Sequence, residues 1–315
     1  MKKILLTGGY GFLGSVLYQK LGLNYDVIRF RSSEFDLRKE SDTIKLFSKV
    51  RPDIVVNAAA RLGGIGDNQA HPADYFRDNM LIGMNVFRQS QIFEVQKVIQ
   101  IGTVCSYPKL IPTPFTEEDL WNGFPEGTNS AYGISKRALI SYAEAIYKQF
   151  GTEIVTVLLA NLYGAGDDFR DETSHVIPAV IKKVDNALAT NSNEVSIWGD
   201  GTPTRDLLYV DDAAEGISAV IQSDVQVGAY NIATGVETSI KDLVELIAKK
   251  MGFEGELIFD SSKPNGQPKR LLNISKILAD TDWKPETILQ KGIEDTIEYY
   301  RQNRDNISSL ERKYK

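Results

Sequence analysis

The feature that most constrains the fold is a run of three glycines that separates a short apolar segment from an amphipathic one near the start of the chain. The apolar segment over residues 4–7 predicts a strand, and the amphipathic segment over residues 15–21 predicts a helix. Gly8, Gly11 and Gly14 therefore lie at a strand-to-helix turn. The first glycine permits the tight turn, the second lets a pyrophosphate approach the backbone, and the third lets the helix pack closely on the strand. With the helix N-terminus facing the anion, this turn predicts a dinucleotide site.

The end of the second predicted strand indicates which dinucleotide binds. This strand covers residues 25–30, and Arg29 and Arg31 stand where an NAD-binding chain usually has an acidic residue for the ribose hydroxyls. An arginine there suits the 2′-phosphate of NADP(H). We therefore expect NADP(H), with Glu34 as the residue that could overturn that preference in favour of NAD(H).

Further cofactor contacts are expected beside the glycine turn. Asp36 is predicted to lie beside the adenine. The next predicted strand, over residues 54–56, is followed by small residues that would let backbone run under the cofactor. These residues are Asn57, Ala58 and Ala59.

Strand and helix patterns continue to alternate through the first half of the chain. Helices are predicted over residues 72–93 and 132–149, and strands over residues 98–101 and 154–159. Alternation of this kind predicts an α/β fold, a Rossmann-type doubly wound parallel sheet. Because ligands bind such sheets at the carboxyl ends of the strands, polar residues that follow strand ends are candidates for chemistry.

Two domains are predicted. Residues 1–163 would form an NADP(H)-binding Rossmann domain, to which part of about 204–235 returns, and residues 164–315 would form mainly a smaller α/β domain for the substrate. Polar residues from Asn306 onward predict a frayed tail.

Composition narrows the class of protein. The 315 residues are 42% hydrophobic and 25% charged, which is typical of a globular protein. The net charge of −6 argues against nucleic-acid binding, and no apolar run reaches the roughly 18 residues of a membrane span. One cysteine cannot form an internal disulfide, and one cysteine with two distant histidines gives no zinc-type spacing, so we expect no metal and a cytoplasmic location.

Tyr132 and Lys136 lie four residues apart in the segment NSAYGISK. On a helix, residues at this spacing share a face. A nearby ammonium favours the phenolate and lowers its pKa. The pair therefore predicts a tyrosine that donates a proton near neutral pH, helped by Lys136 together with the positive charge of the cofactor.

Taken together, these motifs resemble the extended short-chain dehydrogenase/reductases and, among them, the family of GDP-L-fucose synthases. The resemblance extends over nearly the whole chain and includes the Tyr132/Lys136 pair. Its most specific segments are GGI at 63–65, CSYPK at 105–109, SHVIPA at 174–179 and SKPNGQPKRLLN at 262–273.

The resemblance implies the roles of the site residues. Thr103, Tyr132 and Lys136 would form the reductase triad, with threonine where the family usually has serine. Cys105 and His175 would be the base and acid that exchange protons at carbons 3 and 5 of a 4-keto sugar. The implied activity is the NADPH-dependent 3,5-epimerisation and 4-reduction of GDP-4-keto-6-deoxy-D-mannose to GDP-L-fucose.

The remaining binding residues are expected around the same site. The GDP moiety would face cations and an aromatic side chain at positions that match family motifs, namely Lys183, Trp198, Arg205, Lys263 and Arg270. Leu62, Asn161, Leu162 and His175, together with Tyr132 and Lys136, complete the expected cofactor contacts.

Two alternatives remain open from the sequence. The chain could be a reductase or epimerase-reductase for another GDP-4-keto sugar, a deoxyhexose or a heptose, or it could be a non-catalytic NADP-binding regulator. By resemblance, the helix over residues 72–93 and the helix that carries Tyr132 would pair across a two-fold axis, which implies a homodimer. No nucleic-acid or membrane partner is expected.

Overall fold

A parallel sheet with helices on both faces forms the first part of the molecule. The computed structural model describes residues 1–63, 65–170, 174–263 and 265–313, so Gly64 and Pro264 of the segments quoted above lie outside the described residues. In chain order the strands are β1 (Lys3–Thr7), β2 (Asp26–Arg29), β3 (Ile54–Asn57), β4 (Lys97–Ile101), β5 (Glu153–Leu159), β6 (Asn161–Tyr163), β7 (Glu194–Trp198), β8 (Thr204–Arg205), β9 (Leu207–Tyr209), β10 (Val227–Ile232), β11 (Thr238–Ser239) and β12 (Glu256–Asp260).

The helices fill the intervals between strands. In chain order they are α1 (Phe12–Leu21), α2 (Glu40–Val50), α3 (Ile65–Ala70), α4 (Pro72–Ile92), α5 (Ser130–Phe150), α6 (Val176–Thr190), α7 (Val210–Gln222), α8 (Ile240–Met251), α9 (Ser275–Asp280) and α10 (Leu289–Lys313). Short 3₁₀ turns cover Val104–Ser106, Glu117–Trp121 and Gly127–Asn129.

The six-stranded sheet confirms the predicted fold class. Its strand order is β10-β5-β4-β3-β1-β2, and every neighbouring pair is parallel. The order reverses at β1, since β2 lies on one side of it and β3 on the other. In doubly wound sheets the crevice at this reversal, outside the carboxyl ends of the strands, is where a nucleotide binds.

The sheet is buried on both faces because its strands are apolar at successive positions. Ile4 and Leu6 of β1 point into one hydrophobic cluster, whereas Leu5 between them points into the other. The first cluster includes Leu17 of α1, and the second includes Phe87 of α4. This alternation follows from the two-residue period of a strand, and it explains why the strands read as continuous apolar runs.

A second hydrophobic region is built from the chain after β6. The parallel pair β7 and β12 packs with α6, α8 and α10 around residues such as Ile181, Ile247 and Ile293. Strand β10 nevertheless belongs to the large sheet, where it pairs with β5. The division of the chain at residue 163 stays a prediction.

The prediction of a frayed tail from Asn306 onward was wrong. Helix α10 continues to Lys313. No glycine or proline interrupts the chain after Gly292, and Ile293 and Ile297 anchor the helix in the second hydrophobic region, so the polar turns that follow propagate from a helix already formed.

Two features are absent from the described residues. None of their helices combines the length and the apolar character needed to cross a membrane. The same ranges contain no group of three or more histidine, cysteine, aspartate or glutamate side chains placed to hold a metal ion.

Candidate active site

The glycine turn lies at the carboxyl end of β1, against the end of β3. Gly8 has a φ of +65°, and a Cβ there would lie 2.7 Å from the carbonyl carbon of Ala58. A Cβ on Gly14 would lie 2.1 Å from the carbonyl oxygen of Gly8. Gly11 precedes α1 and donates its N–H to that same oxygen at 2.9 Å. The turn therefore brings bare backbone and a helix N-terminus to the switch point, which fits a dinucleotide pyrophosphate.

Two guanidinium groups lie beside this turn. The Arg29 guanidinium lies over the ring of Tyr18 at 3.7 Å and donates to the carbonyl oxygen of Gly9 at 3.0 Å. Arg29 and Arg31 both lie 4.2 Å from the ring centre of Tyr10. The arrangement suits the 2′-phosphate expected of NADP(H). Tyr10 was missed from the sequence, although its place between two glycines at the turn was a usable signal.

The residues that could have favoured NAD(H) or contacted the adenine are already engaged. Glu34 accepts the backbone N–H of Arg31 at 2.7 Å. The Asp36 carboxylate receives two hydrogen bonds from the Arg38 guanidinium, each 2.9 Å long, and this pairing lowers its pKa. The adenine contact of Asp36 stays a prediction.

Asn57 is fully buried in a side-chain network that crosses the sheet. Its Oδ1 accepts from Thr7 Oγ1 at 2.6 Å, and its Nδ2 donates to Gln100 Oε1 at 2.7 Å. Thr7 Oγ1 also accepts the N–H of Ala59 at 3.0 Å. The network fixes the backbone of Ala58 and Ala59 under the expected cofactor path, whereas the Asn57 side chain itself is directed into the sheet.

Four predicted catalytic residues converge at the end of β4 and the start of α5. Thr103 and Cys105 follow β4, and the Thr103 side chain accepts the N–H of Cys105 at 3.2 Å. Tyr132 and Lys136 lie on the first turns of α5, both nearly inaccessible to solvent. The Thr103 hydroxyl lies near Tyr132 and opposes the effect of burial on the pKa of the phenol.

The net shift in the pKa of Tyr132 is opposite to the one predicted from its spacing to Lys136. Burial raises the pKa of Tyr132, against a smaller opposing effect of the Thr103 hydroxyl, and burial lowers the pKa of Lys136 to about 8. The Lys136 ammonium lies 5.9 Å from the Tyr132 ring centre and donates to the carbonyl oxygen of Ile101 at 3.0 Å. Desolvation penalises the charged forms of both groups.

His175 lies at the start of α6 with its side chain largely exposed. Its Nδ1 is 3.7 Å from Oδ1 of Asp167, and that carboxylate raises the pKa of the imidazole. The Arg270 guanidinium opposes this effect on His175, while the Arg205 guanidinium interacts electrostatically with Cys105. Arg205 and Arg270 are also close enough to repel each other. One arginine therefore acts on each of the two residues predicted to exchange protons.

The predicted substrate residues form two groups. Arg205 donates to the carbonyl oxygens of Thr204 and Gln267 at 2.7 and 2.8 Å, and burial lowers its pKa to about 10. Arg270 donates to the side chain of that same Gln267 at 3.1 Å, which holds the two guanidinium groups together.

The second group surrounds an exposed indole. Trp198 is 65% exposed, and the ammonium groups of Lys183 and Lys263 lie 5.8 and 5.7 Å from its ring centre. An aromatic face flanked by two cations suits a base or sugar joined to a pyrophosphate. Lys183 also donates to the carbonyl oxygen of Ser196 at 2.9 Å.

The remaining predicted cofactor residues are Asn161, Leu162 and Leu62. Asn161 and Leu162 begin β6, directly after β5, and Asn161 Oδ1 is a buried acceptor with no hydrogen-bond partner within the described ranges. Leu62 is 67% exposed. Tyr75 of α4, which sequence reasoning missed, meets Tyr132 edge to face at 6.5 Å and donates to Asp67 Oδ2 at 2.5 Å.

Comparison with known proteins places this geometry in context. Residues 4–233 match the NAD dependent epimerase/dehydratase family. The chain is 38% identical over 304 residues to a protein named putative GDP-L-fucose synthase 2 of Arabidopsis thaliana, covering 96% of this chain and 92% of that one.

Two solved structures are similar over almost their whole length. A GDP-L-fucose synthetase of Naegleria fowleri bound to NADP is 26% identical with a TM-score of 0.86, covering 96% of this chain and 95% of that one. A GDP-6-OMe-4-keto-L-xylo-heptose reductase of Campylobacter jejuni is 28% identical with a TM-score of 0.87, covering 96% of this chain and 98% of that one.

Proposed function

The chain belongs to the NAD dependent epimerase/dehydratase family, and from that premise we propose that it converts GDP-4-keto-6-deoxy-D-mannose to GDP-L-fucose with NADPH. The observation that carries this proposal is the placement of Cys105 beside the Thr103 and Tyr132 hydroxyl groups. A keto group held by these hydroxyls brings an adjacent C–H bond towards the sulfur. Epimerisation and reduction can then share one binding mode.

The chain's residues divide the work on the cofactor. The glycine turn and the helix N-terminus of α1 would hold the pyrophosphate, and Arg29 and Arg31 would hold the 2′-phosphate. Bound NADPH supplies the hydride that reaches carbon 4. The buried Lys136 ammonium offers the cation and N–H donors expected at the nicotinamide ribose.

Proton exchange comes first. Cys105 as thiolate removes a proton from a carbon next to the keto group, and the negative charge moves to the oxygen on carbon 4. The hydroxyls of Thr103 and Tyr132 donate hydrogen bonds to that oxygen. His175, protonated to a higher pH than an ordinary imidazole because of Asp167, returns a proton from the other face.

Reduction then uses the same tyrosine. The raised pKa of Tyr132 means that the phenol keeps its proton at neutral pH. As the hydride arrives at carbon 4, the developing alkoxide is a stronger base than the ground-state ketone, so the phenolic proton moves to it. The tyrosine is thus a hydrogen-bond donor in the first stage and an acid in the second.

The test is incubation of the protein with NADPH and GDP-4-keto-6-deoxy-D-mannose in deuterated water. We expect loss of NADPH absorbance and deuterium at both carbon 3 and carbon 5 of the product. His175→Gln should lower exchange, whereas His71→Gln is the matched control because His71 is exposed and pairs with Asp67 at 3.7 Å. Loss of NADPH without deuterium in the product would mean that the protein is a 4-reductase without epimerase activity.

The similarity to the heptose reductase favours one second candidate, reduction of another GDP-4-keto sugar. A panel of such sugars that includes heptoses distinguishes the two. Reduction of other sugars in the panel but not of the mannose-derived ketone would contradict the first proposal. Any substrate-dependent oxidation of NADPH excludes a non-catalytic regulator.

We expect the protein to act as a homodimer. Helices α4 and α5 pack against each other, and α4 leaves Phe76, Leu81 and Met84 exposed. An apolar stripe of this kind on a long helix suits a second copy of the same helix pair. Light scattering of Met84→Glu against the unchanged protein tests the expectation, since a charge there should favour the monomer.

A further inference from the structure

The amide of Asn129 is directed at the sulfur of Cys105. Asn129 ends the 3₁₀ turn over Gly127–Asn129 and directly precedes α5, and its Nδ2 donates to Cys105 Sγ at 3.3 Å. The contact joins two segments that are 24 residues apart in the chain. It therefore belongs to the tertiary arrangement of the site.

This orientation is unusual for an asparagine before a helix. At that position the side-chain oxygen normally accepts a backbone N–H of the first helical turn, which stabilises the helix. Asn129 makes no such bond, and its Oδ1 is buried without a partner in the part of the chain that the structure describes. The side chain thus gives up a capping interaction in favour of its contact with the sulfur.

The start of α5 also fixes the backbone of Cys105. A Cβ on Gly133 would lie 2.4 Å from the carbonyl oxygen of Cys105, so the helix packs directly on that peptide. Thr103 holds the N–H of the same residue. With the backbone fixed on both sides, the remaining freedom is the direction and ionisation of the thiol.

We propose that Asn129 is a positioning residue for proton exchange: its Nδ2–H group holds Cys105 Sγ towards the substrate position and stabilises the thiolate. The proposal rests on the role given to Cys105 in the proposed function. An N–H donor favours the charged form of its acceptor. Among the described ionisable groups, Tyr132 from α5 and Arg205 from β8 interact electrostatically with the thiol, and Arg205 brings a positive charge.

The first test uses alkylation, because the chain has a single cysteine and iodoacetamide reports on it alone. Three proteins, each with bound NADP⁺, are alkylated across a pH series: the unchanged chain, Asn129→Ala and Asn129→Asp. Loss of a hydrogen bond to a charged group should move the pH of half-maximal alkylation upward by about one unit, and further for Asn129→Asp because of its carboxylate. A midpoint that does not move overturns the proposal.

The matched control is Ser130→Ala, at the neighbouring position, where the hydroxyl donates to the carbonyl oxygen of Gly127 at 3.3 Å. It perturbs the start of the same helix without touching the sulfur. Its alkylation midpoint should equal that of the unchanged chain. If Ser130→Ala moves the midpoint as far as Asn129→Ala does, the effect is one of helix structure and the proposal fails.

The second test follows proton exchange itself. With NADP⁺ in place of NADPH, GDP-4-keto-6-deoxy-D-mannose exchanges deuterium without being reduced, and Cys105→Ser identifies which carbons the thiol serves. Asn129→Ala should slow exchange about tenfold at each carbon that loses exchange in Cys105→Ser, while the KM stays unchanged. Exchange at the unchanged rate at those carbons overturns the proposal. If the unchanged chain exchanges neither carbon, the proposed function fails, and the alkylation series still decides the role of Asn129.

Discussion

Lys136 Nζ donates to the carbonyl oxygen of Ile101 at 3.0 Å, so the ammonium on α5 is tied to the last residue of β4. The donor of this hydrogen bond is an amine whose pKa is lowered to about 8 by burial. The charged amine is therefore held in a place that penalises its charge. Its position is explained by chemistry more readily than by stability.

Lys136→Met should make the protein more stable and less active. Below about pH 8 the buried ammonium costs the unchanged protein about 3 kcal/mol of unfolding free energy, for a pKa lowered from 10.5 to about 8. The methionine variant avoids this cost but loses the hydrogen bond of the ammonium, which offsets part of its gain. The unfolded chain binds the proton up to pH 10.5, so that cost disappears as the pH rises between these two values. Urea unfolding of both proteins at pH 7 and pH 9.5 should show the advantage of the methionine variant shrinking. The reduction rate of the methionine variant should fall at least about 100-fold. A difference in unfolding free energy between the two proteins that is the same at both pH values would contradict the prediction.

Arg31→Ala should weaken binding of NADPH about 10-fold to 100-fold while leaving NADH binding unchanged. The physical reason is the loss of a charge-assisted contact to a 2′-phosphate, which NADH lacks. Fluorescence titration with both nucleotides measures this. Arg88→Ala is the matched control because Arg88 is an exposed arginine of α4 that pairs with Glu40. Equal weakening of both nucleotides would instead mean that Arg31 supports the turn through Tyr10.

Asp167→Asn should lower the pKa of His175. The carboxylate stabilises the imidazolium, so its contribution to stability is present below pH 6.5 and is lost as the pH rises through the raised pKa of the folded protein. The chain has two histidines, so an NMR titration with His71→Gln for assignment resolves both. Asp67→Asn, which removes the carboxylate beside His71, should leave the His175 titration unchanged. A His175 curve that Asp167→Asn does not move would remove this ion pair from the mechanism.

Gly14→Ala should be far more damaging than Gly11→Ala. The new methyl at position 14 meets the Gly8 oxygen at 2.1 Å, whereas at position 11 the same oxygen is 3.3 Å away. We expect the first variant to lose about 1–3 kcal/mol of unfolding free energy together with NADPH binding, and the second to lose less stability. Thermal unfolding and nucleotide titration of the pair measure the difference. Similar melting temperatures would mean that α1 shifts easily away from β1.

The strands and helices of the large sheet could be predicted because their signals are local. The apolar runs and the glycine turn occur within short stretches of chain, and β1, β3 and β4 lie within a residue or two of their predicted bounds. The pairing of Thr103 with Tyr132 came from family resemblance rather than from any local pattern. Asn129 escaped prediction because its contact with Cys105 depends on how a turn and a strand end meet across 24 residues.

The direction of the pKa shifts in the site could not be predicted from the sequence, for a related reason. Spacing on α5 correctly places Tyr132 and Lys136 on one face, but it carries no information on how deeply both are buried. Desolvation depends on everything that packs around the helix, including Tyr75 of α4. A rule based on pair spacing therefore gave the wrong direction for the tyrosine.

The return of β10 to the edge of the large sheet determines when that sheet can be completed during synthesis. Strand β5 emerges from the ribosome with one edge unpaired and stays so until residues 227–232 have followed, about seventy residues later. In that interval Val155, Val157 and Leu159 lack the partner strand beside which they end up buried. A fragment that stops at residue 163 would keep this open edge permanently, so it should associate with other chains rather than fold as a separate nucleotide-binding unit.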